Sequence, residues 1–478
     1  MPLTREFKIA LTATALAMLG LGISQLRAAE ANPFGKINHF VIIYTENRSF
    51  DALFGDFPGA DGFATAKDIA PQVDTDGSVL KSLPPVRGKD GVDPRFKAAL
   101  ANTPFDITPI VPPDQKTPDM VHAFYQEQEQ IDGGKMDRFA AVSNAGGLVM
   151  GYYPARSQKL GDLARQYVLL DHFHHAAFGS SFLNHIFMIC ACAPKFEAAP
   201  QTMIAVLDPK TGYLARKDDS PKSAMDGPPK FVGNRAVTPD FYAVNTVQPP
   251  YPPNALDPVG DPPLPPQTMP TIGERLSEKG ISWAWYSGGW GDAVAGRIKS
   301  YAPPDNFQPH HQPFNYFAAY APGTQARTDH LKDYADLVAA IKAGTLPAVA
   351  FYKPIGANNE HPGYASLSTG DAHVAEVIGA IMASPQWADT AIIVTADENG
   401  GSWDHVAPPK VDRWGPGLRV MTLLVSPLAK KGFIDHTVYD TTSILRTLEV
   451  RFGLAPLGTR DAAVADLANA FGPEAAGN

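Results

Sequence analysis

The sequence predicts an α/β protein with a mostly parallel central sheet sandwiched by helices. Three observations predict it: short β-branched apolar runs, amphipathic helical patterns alternating with them, and an ordinary globular composition. Of 478 residues, 44% are hydrophobic and 19% charged, which excludes disorder, collagen and coiled coil. The strand-like runs are 39–45, 168–173, 281–286, 348–352, 391–395 and 420–425. Helical patterns lie between or after them, at 271–279, 330–343, 372–383 and 442–452. Strands buried on both faces and separated by helices imply parallel pairing, and ligands in such sheets collect at the carboxyl ends of the strands.

The chain opens with Arg5 and Lys8, an uncharged run from 9 to 26, and the small residues Ala28, Ala29 and Ala31. This reads as an export signal over 1–29, with an uncleaved anchor as the competing reading. Thr4-Arg5-Glu6-Phe7-Lys8 lacks the second Arg of a twin-arginine signal, leaving the ordinary secretory route. Net charge is -9, and losing the net +2 of residues 1–28 leaves -11. No basic stripe remains for nucleic acid. No later apolar run has spanning length, so no stable membrane insertion is expected after the signal is removed. A single catalytic domain over 36–460 is expected, interrupted at 195–270 by an irregular excursion, where Pro249, Pro250, Pro252, Pro253, Pro258, Pro262, Pro263, Pro265 and Pro266 crowd together. The two cysteines, Cys190 and Cys192, would point to nearly opposite sides of a helix and are expected not to bridge.

Polar residues follow three of the strands. After 39–45 come Glu46 and Asn47, a carboxylate and an amide able to offer oxygens to a cation. After 391–395 come the adjacent acids Asp397 and Glu398, then Asn399, Gly400, Gly401, Trp403, Asp404 and His405. Neighbouring acids beyond a buried strand repel unless a cation or a proton lies between them. After 168–173 come Gly179, Ser180 and Ser181 at the start of an apolar helix, where unpaired N–H groups favour an anion and a metal could activate a serine. His122, His310, His311 and His361 sit in polar or Pro-flanked stretches, while His172, His174 and His175 read as core or supporting residues.

Together these pieces resemble the bacterial phosphoesterases that include secreted acid phosphatases and non-haemolytic phospholipases C, within the alkaline-phosphatase-like superfamily. The resemblance is carried by Glu46-Asn47-Arg48-Ser49-Phe50-Asp51, Gly134-Lys135-Met136-Asp137, Gly179-Ser180-Ser181-Phe182-Leu183-Asn184, His310-His311-Gln312-Pro313-Phe314 and the stretch Asp397 to His405, in family order from about 37 to 455. It implies an alkaline-phosphatase-like fold with a Pro-rich insertion or cap, and one or more divalent ions held by Glu46, Asn47, Ser181, Asp397 and Glu398. It implies Ser181, three residues before Asn184, as nucleophile in preference to Ser180. His122, Asn184, His310 and His311 would bind substrate, with His361 or the doublet as proton donor. Members often carry His where Asn399 and Thr441 stand in this chain.

The expected function is an exported, metal-dependent acid phosphatase acting on phosphomonoesters through a phosphoserine, with an acidic optimum set by protonated histidines. The alternatives are a phospholipase C cleaving phosphodiesters and a non-catalytic periplasmic binding protein with a closed structural metal site. A sulfatase reading rests on Cys192-Ala193-Pro194-Lys195, which lacks the terminal Arg of the formylglycine sequence.

Overall fold

The computed structural model describes residues 32–233, 236–251 and 261–477. The expected signal segment and Pro252, Pro253 and Pro258 lie outside the described residues. The six apolar runs supply six of the eight strands of one sheet, and Leu331–Asp333 and Phe433–Asp435 are the other two. In chain order the eight are β1 His39–Thr45, β2 Val168–Leu170, β3 Trp283–Ser287, β4 Leu331–Asp333, β5 Val349–Lys353, β6 Thr390–Ala396, β7 Thr422–Val425 and β8 Phe433–Asp435. Their order is β8-β2-β7-β6-β1-β5-β3-β4, all pointing one way except β7.

The helices that cover it are α1 Phe50–Phe54, α2 Phe124–Ile131, α3 Lys159–Gln166, α4 Ser181–Cys190, α5 Ile272–Glu278, α6 Tyr334–Ala343, α7 Leu367–Met382 and α8 Thr442–Phe452. Alternation along β1 sends Phe40, Ile42 and Tyr44 into one core layer and Val41 and Ile43 into the other. The first layer is closed by α4, α5 and α8 through Ile186, Leu276 and Leu448, the second by α1, α3, α6 and α7 through Leu53, Leu160, Ile341 and Ile378. Both faces are therefore buried, as the continuous apolar runs require.

Three boundaries differ from the sequence expectation. The 168–173 run stops at Leu170, because the Asp171 carboxylate turns aside to accept from the Asp61 N–H at 2.8 Å, and Phe173–His174 then pairs with Tyr439–Asp440. The helix expected from 330 begins at Tyr334, since 331–333 add an edge strand to β3 and Asp333 with Asp336 forms a capping box. Helix α7 starts five residues early, at Leu367, capped by Ser366, whose hydroxyl accepts from the Thr369 N–H.

The cysteines also correct the expectation: Cys190 and Cys192 are joined in a disulfide. Helix α4 ends at Cys190, and Ala191 adopts a left-handed conformation (φ 48°) that swings Cys192 back toward its neighbour. Helical geometry simply does not extend across the pair. The excursion at 195–270 contains, among its described residues, one short turn of helix, Gln201–Met203, and isolated bridges such as Lys195 with Tyr242. Among the described residues no helix is long and apolar enough to cross a membrane.

One buried ion cluster fastens the segment after β6 to the rest. The fully buried Arg419 guanidinium stands 2.9 Å from Asp404 Oδ1 and 3.0 Å from Asp51 Oδ1, and it donates to the carbonyls of Asp61 and Asp171. His405 Nδ1 stands 2.7 Å from Asp51 Oδ2. Two carboxylates facing an arginine and a histidine are already neutralised, so the Asp51, Asp404 and His405 group leaves no charge for a metal ion.

Burial lowers the His405 pKa, but the hydrogen bond and charge of Asp51 outweigh it and push the ring up to about 8 from 6.5. A raised folded-state value stabilises fully below about pH 6.5 and is lost as pH rises through about 8. Denaturant unfolding should therefore show wild type losing about 2 kcal/mol between pH 6 and 9 that His405→Gln does not lose. Parallel pH curves for the two proteins would remove His405 from the balance.

Candidate active site

Strand register assembles the acids. Thr45 of β1 lies opposite Ala396 of β6, so the next residues, Glu46 and Asp397, emerge side by side. The Asp397 N–H donates to the Thr45 carbonyl at 3.2 Å, and the Glu46 N–H donates to Asn359 at 2.9 Å. On the other side of β1, Ile43 pairs with Tyr352 of β5, which brings Lys353 to the same end of the sheet. Gly400 turns the chain back with φ 58°, and a Cβ there would meet the Asn47 carbonyl at 2.2 Å.

The serine arrives on a tight turn. Gly179 has φ 42° with the Ala123 backbone 2.5 Å from where a Cβ would stand, and Ser180 follows at φ 77°. The Ser180 hydroxyl is spent on the carbonyls of Val244, at 3.1 Å, and Asn245. Ser181 is the first residue of α4, and its Oγ donates to Glu398 Oε1 at 2.8 Å. Of the two hydroxyls only that of Ser181 reaches the acids. Asn184, expected at the substrate, is fully buried and does something else. Its amide accepts from the Ala177 N–H and donates to the Ala177 and Gly179 carbonyls, all at 2.9 Å, which pins the turn that presents Ser181.

Three carboxylates thus meet out of water, with Lys353 as the buried lysine beside them. Its Nζ is 2.8 Å from Glu46 Oε1 and 3.9 Å from Asp397 Oδ2. Burial pushes the Glu46 carboxyl up, yet the Lys353 ammonium and the His311 ring outweigh it and hold Glu46 well below its ordinary value. Burial raises Asp397 and Glu398 well above theirs, with the Glu46 charge adding to the first and the Asp397 charge to the second. Asp397 Oδ2 and Glu398 Oε2 have no hydrogen-bond partner, whereas Glu46 Oε1 is met by Lys353 and His311. One end of the Asn47 amide stands 2.8 Å from Glu46 Oε2 and 2.9 Å from Asp397 Oδ1. As an NH₂ group it donates to both; as an oxygen it requires a cation among them. Partly unpartnered, oxygen-rich and under-neutralised, this donor set fits a divalent ion.

The histidines divide into two sets. His122 and His361 line a cavity of about 660 Å³ together with Ser181, Asp119, Asn245, Gln308 and Tyr364. Their Nδ1 atoms face the carbonyls of Met120 and Pro362, so each Nε2 is turned toward the acids, 3.9 Å from Glu398 Oε1 and 3.6 Å from Glu46 Oε2 respectively. His310 and His311 are not on the cavity wall. His311 Nε2 approaches Glu46 Oε1 to 2.5 Å from behind, and its ring stacks on His185 with centroids 5.2 Å apart. Burial lowers His310 and His361, and takes His311 to about 4 despite the Glu46 charge. Burial thus works against protonation of these three rings, because removing an imidazolium from water costs more than the nearby carboxylates return.

Sequence reading missed Lys353, whose only signal is a lysine ending a buried apolar strand. It also passed over His185, whose Nδ1–H donates to the Ser181 carbonyl at 2.7 Å and stands 3.7 Å from Asp397, and Tyr364, which donates to Glu46 at 3.3 Å.

A non-haemolytic phospholipase C of Pseudomonas aeruginosa is 25% identical over 473 residues, 91% of this chain and 57% of the relative. Phospholipase C A of Mycobacterium tuberculosis is 24% identical over 477 residues, 91% of this chain and 77% of that protein. The chain spans under two thirds of the length of the first of these. A crystal structure of a protein in the alkaline phosphatase superfamily from Vibrio parahaemolyticus shares 10% identity, with TM-score 0.33 over 75% of this chain and 74% of that one, too low to bear on topology. The profile of the Phosphoesterase family matches residues 37–455, nearly the whole described chain. The chain belongs to the phosphoesterase family.

Proposed function

We propose that this chain is a metal-dependent hydrolase of phosphate esters, with phosphomonoesters of the acid phosphatase type as its first substrate class and Ser181 as its nucleophile. The observation that carries the reading is the Ser181 hydroxyl 2.8 Å from Glu398 within a buried group of carboxylates, of which Asp397 and Glu398 each have an oxygen without a partner. Glu46, Asn47, Ser181, Asp397 and Glu398 would hold the ion. Bound there, a divalent cation lowers the pKa of a serine hydroxyl and offsets charge on phosphoryl oxygens.

The protein's own groups do the rest. Ser181 Oγ attacks phosphorus in line, its proton passing to Glu398, to which it is hydrogen-bonded, and the bond to the leaving oxygen breaks. The partial positive charge at the start of α4 favours the phosphoryl oxygens beside it. His361 lies on the cavity wall and, once its ring takes up a proton, would give it to the leaving oxygen, in preference to the doublet, which is not on that wall. Water then cleaves the phosphoserine, releasing phosphate and restoring the hydroxyl.

The cavity wall is mixed, with Asp119, Asn144, Asn245, Asn306 and Gln308 beside Met120, Val121, Val244 and Val247, so it does not select between the two substrate classes. The preference for a phosphomonoester rests on the resemblance, in which the His310-His311 doublet points to the acid phosphatase branch. The second reading, phosphodiester cleavage of the phospholipase C type, is favoured by the names of the relatives. Export to the periplasm or beyond belongs to the same reading, on the strength of the charged and then apolar residues 1–29.

Turnover of p-nitrophenyl phosphate should fall about 10³-fold in Ser181→Ala and stay within about tenfold of wild type in Ser180→Ala. Equal losses would reject the assignment. Dialysis against a chelator should abolish turnover and an added divalent cation should restore it, whereas full activity in protein shown to be free of metal would exclude the ion. p-Nitrophenyl phosphate should be cleaved faster than p-nitrophenyl phosphorylcholine; the opposite order selects the diester reading.

A further inference from the structure

Around Glu46 the site holds more donors than one ion needs. Ligand atoms of Glu46, His310 and His311 lie within 4.8 Å of one another, and so do those of Glu46, His185 and Asp397. All five side chains are buried. His185 Nε2, His310 Nδ1 and Asp397 Oδ2 have no hydrogen-bond partner, while His311 Nε2 stands 2.5 Å from Glu46 Oε1. Imidazoles and carboxylates with free lone pairs are the donors that zinc and similar ions take.

A fixed charge already stands in that space. Lys353 is wholly buried at the end of β5, with its Nζ 2.8 Å from Glu46 Oε1 and 3.9 Å from Asp397 Oδ2. The same ammonium donates to the Thr45 carbonyl at 3.1 Å and lies 5.2 Å over the Tyr44 ring, so it is held from several sides. It belongs to both donor groups through Glu46, which they share. A divalent ion entering either would have to approach a like charge at close range, out of water, where repulsion is strongest.

Counting charge leads to the same place. Glu46, Asp397 and Glu398 contribute three negative charges when ionised, and Lys353 returns one. One divalent ion neutralises the remainder. With a neutral residue at position 353, one divalent ion leaves a negative charge uncompensated beside vacant imidazole nitrogens.

We propose that Lys353 limits this centre to a single divalent ion by standing, as a built-in monovalent cation, in a second donor pocket formed by Glu46, Asp397, His185, His310 and His311. The proposal rests on the reading that the acids hold a metal at all. Lys353 is in this sense a positioning residue: it acts on the ion count and on Glu46, and it does not line the cavity where substrate would sit.

The experiment is an ion count on the full chain. Wild type, Lys353→Met, Lys353→Gln and Lys353→Arg are stripped with chelator, equilibrated with zinc, freed of excess and analysed for zinc per chain, with circular dichroism confirming the fold of each. One ion in wild type and Lys353→Arg, and two in Lys353→Met or Lys353→Gln, is the expected result. Adding His310→Ala and His185→Ala to the variant that binds two should return it to one. Two ions in wild type, or one in a folded neutral variant, overturns the proposal. No ion in wild type overturns instead the reading of the carboxylates beneath it, so the two failures are told apart.

Discussion

Mutual repulsion among Glu46, Asp397 and Glu398 is the constraint around which the site is organised. Parallel register at the centre of the sheet delivers the first two to the same edge, and the turn after β6 adds the third. Burial then removes the water that would screen them. Asp397 and Glu398 accordingly resist ionisation, while Glu46, next to an ammonium and an imidazole, does not. A cation relieves that imbalance, and a hydroxyl already hydrogen-bonded to Glu398 is placed to share it.

Such a cluster needs rigid support, because a backbone that could relax would separate the charges. Support comes from two sides. Arg419 ties α1 to the loop beyond β6 through Asp51 and Asp404, and losing one partner of such a buried pair leaves an uncompensated charge. Asn184 holds the Ala177–Gly179 turn from inside the first turn of α4, so the serine is presented by a helix and a fixed loop together. The excursion at 195–270 joins in, since Val244 and Asn245 take the Ser180 hydroxyl and the Phe182 N–H donates to Thr246. An irregular segment thereby becomes one wall of the cavity and a brace for the helix that begins at Ser181.

Much of this was legible from local pattern. Glu46, Asn47, Asp397 and Glu398 stand directly after apolar strands, and strand ends in parallel sheets converge whatever the connections between them. Ser181 at the start of an apolar helix was legible for a similar reason. Lys353 was not: a lysine closing a strand reads as a solvated end until the register with β1 places it against Glu46. Asn184 was read as touching substrate because it sits beside the nucleophile in sequence, while its side chain points back along the turn. The histidine doublet was read as facing the cavity, and its ring nitrogens instead approach Glu46 from behind. Cys190 and Cys192 were misjudged because helical phase was carried past the residue where the helix stops.

The amino-acid sequence by itself determined the class of fold, the strands that end in acids and the serine between them, because hydrophobic period and strand-end chemistry are local properties that survive any arrangement of the chain. Tertiary structure alone decided which charges meet, which histidines face the cavity and which serine hydroxyl is free. Those depend on distances of a few ångströms between residues hundreds of positions apart. No spacing in one dimension encodes them until strand register and packing bring the segments together.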